Sequence, residues 1–100
     1  MKFEFENANF NMVVLARKMG YRPLGLSDKE DYAMVRQLSG RDYPRFHIYI
    51  KSSNNALVFN LHLDHKKPSY GGSHAHSGEY EGEFVEAEAE RIKEILANNN

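Results

Sequence analysis

A chain of 100 residues that is 41% hydrophobic and carries a net charge of −1 has enough apolar mass for one modest core and too little for two. It contains no cysteine, which excludes disulfides and thiolate metal ligands. No apolar run approaches the roughly 20 residues of a membrane-crossing helix, and Glu4 and Glu6 stand where a secretion signal would be basic, so a cytoplasmic protein without a membrane partner is expected.

The near-zero net charge hides an uneven distribution. Residues 1–40 hold six Lys and Arg against five Asp and Glu, residues 41–76 five against two, and residues 77–100 two against seven. All five histidines, His47, His62, His65, His74 and His76, fall in the basic middle third, which becomes more positive still below the ordinary imidazole pKa of about 6.5.

Lys2 to Glu6 alternates as a strand does, which allows an extra N-terminal edge strand without requiring one. A helix is expected from about Ala8 or Asn9 to Met19, with Phe10, Val13, Val14 and Arg17 close to one stripe and Gly20 ending it. Tyr21 to Asp31 contains Pro23, Gly25 and Ser27-Asp28-Lys29-Glu30, and reads as a loop with a brief helical turn. A short strand near Tyr32 to Leu38 ends at Ser39-Gly40-Arg41-Asp42.

The clearest pattern follows. Tyr43 to Lys51 and Ala56 to His65 alternate strictly, and Ser52-Ser53-Asn54-Asn55 between them turns the chain into a hairpin. Phe46, Ile48, Ile50, Leu57, Phe59, Leu61 and Leu63 should face the helices, which leaves Arg45, His47, Tyr49, Lys51, Asn60, His62 and Asp64 on the other side. A four-residue loop pairs Lys51 with Ala56, Tyr49 with Val58, His47 with Asn60, Arg45 with His62 and Tyr43 with Asp64.

His65 to Gly82 is a polar loop interrupted by Pro68, Gly71, Gly72 and Gly78. From about Gly82 to Ala97 a second helix is expected, with Val85, Ala89, Ile92 and Leu96 on one face and Phe84, Glu88 and Ile95 bordering it. The expected architecture is a single α+β domain over residues 1–100: a helix, a three-stranded antiparallel sheet and a second helix, with both helices on one sheet face.

That order resembles the compact fold shared by double-stranded RNA-binding domains and HicA-type toxins. Over about residues 9–65, Val35-Arg36-Gln37, Gly40 and Phe46-His47-Ile48-Tyr49 look like the toxin strand that carries its catalytic histidine. The resemblance implies RNA as ligand or substrate and His47 as the residue to carry over.

Three functional readings follow from the residues. An interaction or RNA-binding module would use the open sheet face, with Arg45, Lys51, Lys66 and Lys67 on phosphates and Tyr43 or Tyr49 stacked on bases; a protein partner would use the same tyrosines. An RNA-cleaving enzyme would use neutral His47 to take the 2′-hydroxyl proton, Arg45 to stabilise phosphate charge, protonated His62 as the acid and Asp64 to orient His62. A divalent metal such as zinc, manganese, nickel or iron would draw on His62, Asp64, His65, His74, His76 and Glu79, with no spacing as specific as a helical HExxH; otherwise no cofactor is expected. Against all three stands the ordinary solvated face of a half-buried sheet.

Overall fold

The computed structural model describes residues 1–6, 11–26, 31–65 and 78–98, with residues 78–81 described by their backbone alone. The chain runs β1 (Lys2–Glu6), α1 (Met12–Met19), β2 (Arg22–Leu26), β3 (Tyr32–Gln37), β4 (Arg45–Ser53), β5 (Ala56–Asp64) and α2 (Gly78–Asn98). The strands form one sheet in the order β1-β5-β4-β3-β2, and every neighbouring pair is antiparallel. The architecture is α+β, with five strands among the described residues where the sequence leads one to expect three and allows an extra one at the N-terminus.

The central hairpin is set by its turn. Asn54 and Asn55 both have positive φ, 49° and 68°, the conformation of a two-residue turn whose twist suits antiparallel strands. Asparagine tolerates that region better than most residues. The loop is therefore two residues long, not four, and Lys51 pairs with Val58 instead of Ala56. A shift of two residues exchanges partners but keeps faces. Phe46, Ile48 and Ile50 of β4 and Leu57, Phe59, Leu61 and Leu63 of β5 all lie in the core beneath the helices.

The helix α1 starts and stops on its own residues. Asn11 Oδ1 accepts from the amides of Val13 and Val14 at 2.9 and 3.2 Å. At the other end Gly20, with φ 83°, lets the Tyr21 amide reach Ala16 O and its own amide reach Arg17 O, at 2.7 and 3.2 Å. The buried stripe is Leu15, Ala16 and Met19, with Met12 partly buried against the core, while Val13 and Val14 are exposed. This corrects the expected stripe of Val13, Val14 and Arg17, whose Phe10 lies outside the described residues. Both sets have helical spacing, but the 12/15/16/19 set is apolar throughout.

The segment Arg22–Leu26 is a strand, not a loop. Pro23 and Gly25 are tolerated because β2 is an edge: the missing Pro amide and the irregular backbone fall where no further strand needs them. The register with β3 shifts between Pro23 and Gly25, and Gly25 takes φ 102° there.

Helix α2 buries Val85, Ala89, Ile92 and Leu96, and with them Glu88, whose exposure is 4%. A carboxylate at that depth needs partners. Glu88 receives the Tyr21 hydroxyl at 2.6 Å, Arg91 Nε and Nη2 both at 2.8 Å, and Arg36 Nη1 at 3.3 Å. Arg91 Nη2 also donates to Met19 O at 2.7 Å, a carbonyl left over at the end of α1. Burial, reinforced by Glu88, raises the Tyr21 pKa far above its ordinary value, and Glu88 raises that of Arg91.

Replacing Glu88 with alanine leaves two guanidinium groups and a buried hydroxyl without their acceptor. The expected loss is about 3 kcal/mol, read as a lower urea midpoint with an unchanged slope.

Candidate functional site

The sheet face turned away from the helices carries the polar set. Cross-strand register places Arg45 opposite Asp64, His47 opposite His62 and Tyr49 opposite Asn60 between β4 and β5, with Val35 of β3 beside His47 and Ala33 beside Tyr49. Arg45, His47, His62 and Asp64 thus share one face, in different pairs from those expected. The face is only partly open to solvent. Val35 is 1% exposed and Ala33 7%, forming an apolar floor, and the side chains of His47 and Arg45 are exposed by only 15% and 19%.

Asp64 organises one end of this face. Its Oδ2 accepts from His47 Nδ1 at 3.2 Å and from Arg45 Nε at 3.4 Å. The hydrogen bond from His47 is the main cause, followed by its charge and by Arg45, that holds the Asp64 carboxyl below its ordinary pKa against the opposing effect of burial. Asp64 therefore orients His47, not His62. With Nδ1 donating to the carboxylate, the lone pair of a neutral His47 sits on Nε2, and that atom is buried with no hydrogen-bond partner among the described residues.

Aromatic rings fill the rest. His47 and Tyr49 have centroids 4.6 Å apart, Tyr49 and His62 5.9 Å, and His47 and His62 6.5 Å, the last two pairs meeting edge to face. Arg45 lies over the ring of Tyr43, its central carbon 4.6 Å from the centroid. Partial desolvation against its neighbours first, then the Met1 amino group and His47, lower the His62 pKa, although Asp64 pulls the other way and much of the side chain meets solvent. His62 itself is exposed and Lys51 stands clear at the far end of β4. A cleft of about 500 Å³ opens beside His62 and Asp64, between β5 and the first turns of α2, with Val85 and Glu86 on its other wall.

Not every predicted site residue belongs to this group. Lys66, Lys67, His74 and His76 lie outside the described residues, as does the side chain of Glu79, and His65 is exposed just past the end of β5. The divalent-metal expectation is corrected: among the described residues no three His, Asp or Glu side chains come together to hold an ion. The physical reason is visible at Asp64, whose carboxylate is already engaged by a guanidinium that would repel a second cation. Glu88, expected at the border of the apolar face, is instead buried with Tyr21, Arg36 and Arg91 around it, a cluster that sequence reasoning does not propose. The available signal is its place beside the Val85–Ala89–Ile92 stripe with Arg91 three residues on.

No helix among the described residues is long and apolar enough to cross a membrane. In comparisons with protein-family models, curated proteins and solved structures, nothing matches this chain.

The depressed Asp64 pKa makes a signed prediction. A carboxyl whose folded pKa is lowered contributes stability that is complete above its unfolded value and is lost as pH falls through the folded one. Urea unfolding of the native chain and of Asp64→Asn should therefore differ most near neutrality. The difference should shrink below about pH 4, and a gap that stays constant down to pH 2 would contradict the His47–Asp64–Arg45 arrangement.

Proposed function

We propose that this protein binds single-stranded RNA on the open face of its sheet. The observation that carries the reading is the ring cluster of His47, Tyr49 and His62, bordered by the Arg45 guanidinium over the Tyr43 ring. Bases of any identity stack on such a platform, and cations at its margin take the phosphates. Exposed His62 and half-buried Tyr49 are the stacking surfaces. Arg45 and Lys51 are the phosphate contacts.

Arg45 meets Asp64 through its Nε, and a guanidinium suits phosphate oxygens. Charge on the far side of the molecule favours a single strand over a duplex. Helix α2 exposes Glu83, Glu86, Glu90 and Glu94, which repel a backbone that would have to reach around the sheet edge. Glu86 and Asp64 also flank the cleft, so the strand's phosphates belong over β4 and not there.

Binding is favoured over cleavage for a local reason. A general base needs its lone pair within reach of the substrate hydroxyl, whereas His47 Nε2 is enclosed. The lowered pKa of His62 also opposes its service as a protonated acid near neutrality.

Labelled single- and double-stranded RNA titrated across a salt series tests the proposal. Tyr49→Ala and His62→Ala should each weaken single-strand binding by about tenfold, and Lys51→Ala should lower the salt slope by about one. Absence of binding even at low salt overturns the reading.

A further inference from the structure

The sheet has two edges of unlike character. At β2 the edge is interrupted by Pro23, the shifted register and the positive φ of Gly25, devices that blunt strand addition. At β1 the backbone is regular, with neither proline nor bulge: Lys2 to Glu6 pair with Asn60 to Ala56 without a break in register, and the edge is marked by the charges of Lys2, Glu4 and Glu6 alone. The strand is firmly seated. Phe3 stacks on Phe59 with centroids 4.8 Å apart, and Lys93 of α2 covers the Phe3 ring at 5.2 Å.

Which backbone groups of β1 face outward follows from its first pairing. The Met1 amino group donates to Leu61 O at 2.9 Å and the Leu61 amide donates to Met1 O at 2.8 Å, a pair that exchanges both bonds. Such pairs recur at every second residue of an antiparallel ladder. Phe3 and Phe5 therefore turn their amide and carbonyl toward β5, and Lys2, Glu4 and Glu6 turn theirs away from it. Among the described residues no strand lies beyond β1 to receive them.

We propose that this edge pairs with the same edge of a second copy of the chain, antiparallel about a twofold axis at Phe3. Outward-facing residues must meet outward-facing residues, which leaves few registers. With the axis at Phe3, Lys2 of each copy lies opposite Glu4 of the other, so both hydrogen-bonded pairs join opposite charges. Phe3 then faces its own counterpart, and Met1 faces Phe5, on the side of the sheet that carries the helices. Moving the axis to Glu4 sets Lys2 against Glu6 but places two Glu4 carboxylates face to face. Charge complementarity selects the first register, and an isologous contact of this kind is self-complementary by construction. The proposal does not depend on RNA binding.

A one-strand contact is small, so association is expected in the micromolar range and reversible on dilution. Light scattering or sedimentation should show the mass rising from 11.6 kDa toward twice that value with concentration. Glu4→Pro removes an outward amide while sparing the β1–β5 ladder, and should weaken association by about tenfold or more with the thermal melt of the monomer retained. Lys2→Glu and Glu4→Lys should each do the same, and the double variant Lys2→Glu/Glu4→Lys should restore the dimer. A chain that stays monomeric at every concentration, a dimer indifferent to Glu4→Pro, or a double variant that fails to recover would each overturn the proposal.

Discussion

The fold depends on one buried carboxylate. Glu88 draws Tyr21, Arg36 and Arg91 to itself, and Arg91 carries the connection on to the end of α1. Three segments distant in sequence thus meet at a single carboxylate: the turn after α1 through Tyr21, strand β3 through Arg36, and α2 through Glu88 itself and Arg91 one turn on. Hydrophobic contact alone would hold α1 and α2 over the sheet but would allow either helix to slide along it. A carboxylate enclosed by directed donors admits one arrangement, because sliding by one turn would strand an ion in the core.

That constraint determines what the opposite face can offer. With both helices on the other side, this face of β4 and β5 carries polar and aromatic groups, partly covered, beside the buried Val35 and Ala33. Asp64 orders one end by binding His47 and Arg45, and Val35 and Ala33 supply an apolar floor beside the rings. Rigid rings on a rigid sheet lose little entropy on meeting a flat ligand.

Much of this was legible in the sequence, for identifiable reasons. Strict alternation over β4 and β5 assigns every side chain to a face, and a two-residue slip in the turn leaves that assignment intact. The apolar positions of α2 repeat at helical spacing and are buried as expected. Other features were hidden because their cause is tertiary. Whether Pro23 and Gly25 break a strand or merely mark its margin depends on which strand lies beside them. The choice between two helical stripes in α1 depends on which residues the sheet has room for. Asp64 is two residues from His62 but reaches His47 across the ladder, a contact that pairing creates and spacing does not reveal.

The irregular margin at β2 has a consequence for how far this sheet can grow. Cross-β stacking and open filaments require every added unit to present another receptive border. Here one border carries Pro23, a shifted register and a left-handed Gly25, which disfavour strand addition there and leave the β1 border better suited to it. On the proposed pairing, lateral growth therefore ends at two copies.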